Sequence, residues 1–221
     1  YITSMPENSD VIVTTDTEEK CNLIKELMES TPYRVETRVV PNRGRDVSAL
    51  LVGARDVLDK YDLVCFIHDK KVTQLQPLSV GAGFAEKCFE NLLATPAFVK
   101  NVISLFEAEP RLGMLMPTPP NHADYFGGHA DSWGPNFDNT VSLLDDLGIT
   151  VPLSRDKAPI APLGGMFWFR PSAMVALFER DWDYEDFPPE PSFTDGALPH
   201  AIERSRCYVA QGLGYYSGWL Y

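Results

Sequence analysis

The chain has 221 residues and a formal net charge of −12, from 31 acidic and 19 basic side chains. This acidic balance argues against general binding of nucleic acid, which needs a basic surface, and against docking on anionic lipid through a polybasic face. With 44% hydrophobic and 23% charged residues the chain is globular in composition, and no apolar run reaches the roughly 18 residues that predict a transmembrane segment.

The four cysteines, at positions 21, 65, 88 and 207, are spaced too widely for a zinc cluster or for the disulfide framework of a small secreted domain. We therefore expect reduced thiols and a cytoplasmic location, with the inner face of the cell membrane as a further option. The chain begins at Tyr1 without a signal-like segment. We expect it to be a piece of a longer protein that carries additional domains.

The first seventy residues predict alternating strands and helices. Apolar runs predict strands at 10–16, 34–40 and 63–67, with a helix after each of the first two. This alternation is typical of a parallel sheet covered by helices, in which ligands bind beyond the carboxyl ends of the strands. Those ends carry polar residues, at 14–16, 42–46 and 68–71. We therefore expect these three stretches to open on one edge of the sheet.

The rest of the chain continues as an α/β pattern. We predict helices at 84–93, 96–107, 139–147 and 171–180, strands at 112–116 and 164–170, and a last helix that runs through Arg204. The stretch 117–138 is a long aromatic loop rich in Gly and Pro, and loops of that length in compact domains are usually functional or disordered. Without a clear linker or repeat, the sequence predicts a single domain.

Four motifs in this order resemble the rhamnan synthesis F family, whose nucleotide-sugar half is similar to that of GT-A glycosyltransferases. The motifs lie at 42–46 (NRGRD), 68–71 (HDKK), 165–171 (GMFWFRP) and 195–204 (DGALPHAIER). The resemblance implies a GT-A-like fold with a mostly parallel central sheet flanked by helices. It also implies that residues 1–117 bind the nucleotide sugar and residues 118–221 face the acceptor.

The activity implied by this resemblance is inverting transfer of L-rhamnose from a dTDP-L-rhamnose donor to a growing cell-surface polysaccharide or lipopolysaccharide. The expected partners are the dTDP-sugar and a glycan or lipid-linked glycan acceptor, without nucleic acid. We expect the donor to be bound by the polar residues of the strand ends: Thr15, Asp16, Asn42, Arg43, Gly44, Arg45, Asp46, His68, Asp69, Lys70 and Lys71.

Two arginines flank a glycine after the second predicted strand. The forked guanidinium groups of Arg43 and Arg45 suit bidentate contacts with phosphate, and Gly44 lets the backbone approach a ligand closely. The alternative is a plain turn whose arginines pair with nearby acids. Asp16 and Asp46 have a similar alternative, because either carboxylate is also suited to cap a helix.

The third strand ends in a variant of the metal motif of GT-A enzymes. Those enzymes usually bind a divalent cation through Asp-x-Asp, whereas His68-Asp69-Lys70 lacks the second carboxylate. Lys70 or Lys71 could supply the positive charge that stabilises the leaving diphosphate. Asp69, with His68, could instead bind Mg²⁺ or Mn²⁺. A third interpretation is that these residues cap the sheet edge and the lysines are solvated.

Asp195 is the predicted general base, because the resemblance implies a carboxylate at the start of a late helix that faces the acceptor hydroxyl. The alternative is an acid that interacts favourably with the helix dipole. The predicted acceptor contacts are Glu190 (also the reserve base), His200, Trp133 and Trp168. Tryptophan faces stack well on sugars, although core packing would equally explain the two tryptophans.

Two other functions compete with this interpretation. The missing second carboxylate favours a catalytically silent module that binds a glycan or nucleotide within a larger wall-polysaccharide protein. A metal-dependent hydrolase would instead use His68, Asp69 and the histidines of the long loop.

Overall fold

The computed structural model describes residues 1–69, 78–119, 129–192 and 195–221. Its strands are β1 (Asp10–Thr15), β2 (Arg34–Val39), β3 (Val64–Phe66), β4 (Leu112–Pro117), β5 (Phe167–Phe169) and β6 (Tyr216–Leu220). Its α-helices are α1 (Glu18–Met28), α2 (Arg45–Ser48), α3 (Arg55–Leu58), α4 (Leu78–Leu93), α5 (Pro96–Ala108), α6 (Phe137–Asp146), α7 (Val175–Glu179) and α8 (Leu198–Gly212). Within these described ranges, every helix is too short or too polar to cross a membrane.

The strands form two separate sheets. β1 and β2 pair in parallel, and a four-stranded sheet has the order β3-β5-β4-β6. In the larger sheet β4 and β6 are parallel, whereas β5 is antiparallel to both β3 and β4. The α/β class is therefore confirmed as a mixed α/β fold, but the predicted mostly parallel sheet is wrong. The alternation of elements correctly indicated the β1–β2 pair, but β3 pairs with a strand about a hundred residues further along the chain.

Helices cover both faces of the four-stranded sheet. Side chains alternate across a strand, so Phe167 and Phe169 of β5 pack against α6, α8 and the helical stretch after β2. Trp168, between them, faces the opposite side, where α4 and α5 pack. A register irregularity between Leu112 and Met114 of β4 changes which face the following side chains occupy. The sheet is thus buried on both sides.

The reversed direction of β5 determines what meets at one edge of this sheet. Because Phe66 lies opposite Phe167 in the β3–β5 pair, the segment that precedes β5 meets the segment that follows β3. We call this edge, formed by the carboxyl ends of β3 and β4 and by residues 164–166, the carboxyl edge. Ligands of α/β sheets bind at such edges.

The helix predicted from Asp46 is interrupted. A π-helical turn, Ala49–Gly53, lies between α2 and α3. The side chain of Arg38 on β2 donates a hydrogen bond to the carbonyl of Gly53 at 2.7 Å, and this contact fixes the end of the π turn against the small sheet. β6 was not predicted, because Ser217 and Gly218 interrupt its apolar pattern.

The turn between β2 and α2 requires a glycine. Gly44 has φ +65°, and its N–H donates to the carbonyl of Pro188 at 2.9 Å. A Cβ atom at this position would lie 2.6 Å from the side chain of Phe187, which is buried. Both the backbone conformation and the close packing therefore exclude a side chain here.

We expect Gly44→Ala to destabilise the protein more than Gly148→Ala. Gly148 has a similar φ of +68°, but a Cβ there would meet no atom of the described residues within 4 Å. Gly148→Ala should therefore cost only the left-handed conformation, about 1–2 kcal/mol. Gly44→Ala should lose a further 1–3 kcal/mol, roughly, from overpacking against Phe187. Denaturant unfolding of the two variants measures the difference, and equal losses would contradict the packing argument.

Candidate functional site

Three distant segments meet at the carboxyl edge. A Cβ atom at Gly165, where φ is +80°, would lie 2.6 Å from Oδ2 of Asp46 and 3.0 Å from Nε2 of His68. The residues after β2, after β3 and before β5 are therefore in contact. Only glycine allows the backbone to approach both side chains this closely.

His68 is held by backbone carbonyls. Its Nε2 lies 2.8 Å from the carbonyl oxygen of Gly164, and its Nδ1 lies 3.2 Å from that of Asp69. A carbonyl oxygen only accepts, and the shorter of the two contacts favours the tautomer in which Nε2–H donates to Gly164 and has no lone pair for a metal.

The residues that the structure describes show no complete set of metal ligands at this position. The ranges that the structure describes contain no group of three or more His, Cys, Asp or Glu side chains arranged to hold a metal ion. Asp69 is exposed, and Lys70 and Lys71 lie outside the described residues. The predicted role of Asp69 as a ligand of Mg²⁺ or Mn²⁺ stays a prediction without geometric support.

A buried arginine lies against Asp46. Arg206 of α8 has no exposed surface, and its Nη2 is 3.9 Å from Oδ2 of Asp46. Its guanidinium stacks on the ring of Phe167 at 4.7 Å. Within the described part of the chain, neither Oδ2 of Asp46 nor any of the three guanidinium nitrogens has a hydrogen-bond partner. Burial lowers the pKa of Arg206, and the charge of Asp46 opposes that shift.

Asp195 is held in a fixed orientation just before α8. Its Oδ1 accepts hydrogen bonds from Nδ2 of Asn136 at 2.7 Å and from the N–H of Gly196 at 2.9 Å. Arg204 and His200 approach the same oxygen at 3.8 Å and 3.9 Å. The side chain is 37% exposed. The carboxylate is therefore both oriented by donors and open to solvent, as a general base must be.

Arg45 connects the turn after β2 to the start of α8. Its Nη1 is 3.3 Å from Nε2 of His200, and its Nε is 3.8 Å from Oε1 of Glu190. Since His200 lies beside Asp195, the first and fourth motifs meet. Burial lowers the pKa of His200, with a further lowering by Arg45 and an opposing effect of Asp195.

The other residues that we predict to bind the sugar donor contact neighbouring parts of the chain instead. Arg43 donates to the carbonyl of Tyr184 at 2.8 Å and pairs with Glu185 at 3.3 Å, while the carbonyl of Asn42 accepts from the N–H of Glu190. The ion pairs of Arg43 with Glu185 and of Arg45 with Glu190 match the alternative interpretation, a plain turn whose arginines pair with nearby acids.

At the end of β1, the carboxylate of Asp16 pairs with Lys20 at 2.5 Å and accepts from the hydroxyl of Thr15. The cap of α1 is Thr17. These contacts do not connect Thr15 or Asp16 to the carboxyl edge, and their role in donor binding stays a prediction.

The two predicted acceptor tryptophans are buried. Trp168 is 1% exposed and donates its indole N–H to the carbonyl of Leu92, and Trp133 is 3% exposed and donates to the carbonyl of Lys157. Trp133 also stacks on Tyr208 of α8. Core packing accounts for both positions, so we do not include them in the site.

Sequence reasoning missed two residues of this region, Arg206 and Asn136. A signal for Arg206 exists, because Ile202, Arg206 and Val209 follow helical spacing and the outer two are buried apolar residues. A charged residue on such a stripe must find a counter-charge or a ligand. Asn136 gives no comparable signal, since it lies in the irregular region before α6.

The pH dependence of stability should contain a contribution from His200. The folded protein binds a proton at His200 less readily than the unfolded chain, whose reference pKa is 6.5. As the pH falls below about 6.5, the unfolded chain gains protons first, so the free energy of unfolding decreases until the lowered folded pKa is passed. We expect Tm to fall less in His200→Gln than in the wild type between about pH 7 and pH 5. Parallel Tm curves would contradict this assignment.

Comparison with known proteins gives a family for the chain. The model of the family described as rhamnan synthesis protein F matches residues 1–215. The uncharacterized protein WxcX of Xanthomonas campestris pv. campestris strain B100 is 28% identical over 200 residues, which cover 88% of this chain and 26% of that protein. WxcX of strain ATCC 33913 gives the same identity and coverage.

The chain thus spans about a quarter of the length of these curated relatives. No solved structure matches it. The resemblance seen in the four motifs is confirmed by the family match over nearly the whole chain. The chain belongs to the rhamnan synthesis protein F family.

Proposed function

We propose that this chain is a glycosyltransferase domain with a GT-A-like arrangement. In this proposal it transfers L-rhamnose from dTDP-L-rhamnose to a growing cell-surface polysaccharide, with inversion at the anomeric carbon. The family supports the role in rhamnan or polysaccharide synthesis. The identity of the sugar donor, the inverting mechanism and the roles of the individual residues are what we propose.

The observation that carries this proposal is the convergence of the four motifs. Asp46, His68 and Gly165 meet at the carboxyl edge. Arg45, from the first motif, reaches His200 beside Asp195, from the fourth. A transferase needs a donor site and a base close to each other, and these contacts connect candidates for both through Arg45 and Asp46.

The chemistry assigned to Asp195 is removal of the acceptor proton. As the acceptor oxygen forms a bond to the anomeric carbon, the bond from that carbon to the diphosphate breaks, and the acceptor proton moves to the carboxylate. The donors from Asn136 and Gly196 to Oδ1 hold the carboxylate in one orientation, which keeps the base positioned for the transfer. The negative charge that develops on the diphosphate requires nearby cations. Arg45 and the two lysines at 70 and 71 are the proposed sources.

A silent binding module is the second candidate function. The motif His68-Asp69-Lys70 lacks the second carboxylate of Asp-x-Asp, and the described residues do not build a metal site there. A module of this kind would bind the nucleotide sugar without turning it over.

We expect Asp195→Asn to separate these candidates. In the full-length protein, release of dTDP from dTDP-L-rhamnose should fall by about 100-fold or more, because general base catalysis contributes about 10²–10⁴. Binding of dTDP-L-rhamnose, measured by calorimetry, should change little. The matched control is Asp181→Asn, whose side chain is fully exposed and pairs with Arg55, neither of which is assigned to the site.

The wild type and the control decide between the outcomes. Binding without turnover in the wild type would favour the silent module. Absence of binding for dTDP-L-rhamnose and dTDP would contradict the donor site, and unchanged turnover in Asp195→Asn would contradict the assigned base. Repeating the turnover assay with a chelator shows whether the reaction needs a bound metal or relies on the cationic side chains of the chain.

A further inference from the structure

We propose that Asp46 and Arg206 together bind one hydroxyl group of the sugar that is transferred. The inference rests on the proposed function, which supplies a sugar nucleotide as the ligand. It adds a pair of residues that contacts the transferred sugar directly.

The separation of the pair matches that of two groups bridged by one oxygen atom. Nη2 of Arg206 and Oδ2 of Asp46 are 3.9 Å apart, too far for a direct hydrogen bond. An oxygen atom about 2.8 Å from each of them completes both contacts. Within the described ranges, each of the two atoms is buried and has no hydrogen-bond partner. Buried polar groups of this kind are normally satisfied by protein, water or ligand.

A hydroxyl group matches the pair better than an ion does. Arg206 only donates and an ionised Asp46 only accepts, whereas a hydroxyl does both. The hydroxyl would donate to Oδ2 of Asp46 and accept from Nη2 of Arg206. A phosphate placed there would be repelled by the carboxylate, and a cation would be repelled by the guanidinium. The pair carries no net charge, so a neutral polyol is the ligand class that it suits.

The approach to the pair is from the side of Asp46. Arg206 has no exposed surface and Oδ2 of Asp46 is buried, whereas the Asp46 side chain as a whole is 14% exposed. The backbone of Gly165 lies against Oδ2 of Asp46 and limits the positions that the carboxylate can take. A hydroxyl that reaches Oδ2 must therefore enter past the exposed part of the Asp46 side chain.

The position of the pair relative to the base favours the transferred sugar over the nucleoside. Arg45 is adjacent in sequence to Asp46, and it reaches His200, whose Nδ1 is 3.9 Å from Asp195. Arg206 belongs to α8, as His200 does, so both members of the pair lie on elements that also reach the surroundings of the base. In a displacement reaction the transferred sugar lies between the base and the diphosphate, so its hydroxyls are the nearest ligand groups.

The first test uses the wild-type full-length protein and analogues of dTDP-L-rhamnose that lack the hydroxyl at C2, C3 or C4. We expect one analogue to bind about 10- to 100-fold more weakly than the parent, since it loses a hydrogen bond to charged partners. The other two should bind within a few-fold of the parent. Calorimetry provides the affinities without requiring turnover.

The outcomes distinguish this inference from the proposed function. Equal binding of all three analogues and the parent would overturn the inference, leaving the pair to bind water only, and would leave the donor site intact. Failure of dTDP-L-rhamnose and dTDP to bind would overturn both. A loss confined to a thymidine 3′-deoxy analogue would assign the pair to the nucleoside and overturn the inference as stated.

The second test is Asp46→Asn, which keeps the size of the side chain but changes the acceptor. We expect the affinity for dTDP-L-rhamnose to fall towards that of dTDP alone, while the affinity for dTDP stays within about two-fold. The analogue that the wild type discriminates should no longer be discriminated by the variant. Asp181→Asn is again the control, and Tm with circular dichroism checks folding.

An equal loss of affinity for dTDP and dTDP-L-rhamnose in Asp46→Asn would overturn the inference, because it would place the carboxylate at the nucleotide. If the variant unfolds, since Arg206 loses its counter-charge, the analogue series on the wild type decides the question alone.

Discussion

The buried charge of Arg206 is the constraint on which the arrangement of the carboxyl edge depends. A guanidinium removed from water costs several kcal/mol unless a counter-charge lies close. Asp46 supplies that counter-charge, and Phe167 lies beneath the guanidinium plane. Because Arg206 belongs to α8, Asp46 to α2 and Phe167 to β5, one electrostatic requirement fixes two helices and a strand relative to one another.

The reversed direction of β5 has an equally direct consequence for the site. A strand parallel to β3 would have begun at the opposite edge of the sheet, and residues 164–166 would have been far from His68. In the antiparallel pair, Phe66 lies opposite Phe167, which brings Gly165 against His68 and Asp46. Gly164 and Gly165, just before β5, therefore lie at the site because β5 runs antiparallel to β3.

The sequence predicts the local parts of this fold well. β1, β2 and β3 begin and end within one residue of their predicted bounds, because an apolar run bounded by polar residues is a local signal. Strand direction depends instead on which distant segments pair, and no local pattern in β3 specifies β5. The motifs identified Asp46 and Asp195 as candidates. They did not identify Arg206, which lies outside the motifs and among the apolar residues on one face of α8. The contact of Asn136 with Asp195 spans 59 residues and has no pattern that would predict it.

The conformation of Arg45 explains how adjacent residues reach two parts of the site. Arg45 has φ +56°, in the left-handed region that a residue with a side chain rarely occupies. Such a conformation costs about 1–3 kcal/mol and persists only where the surroundings enforce it. Here Glu190 and His200 hold the arginine on one side, while Arg206 holds Asp46 on the other. The strained turn thus accompanies two contacts with α8 from adjacent residues, that of Arg45 with His200 beside the proposed base and that of Asp46 with Arg206.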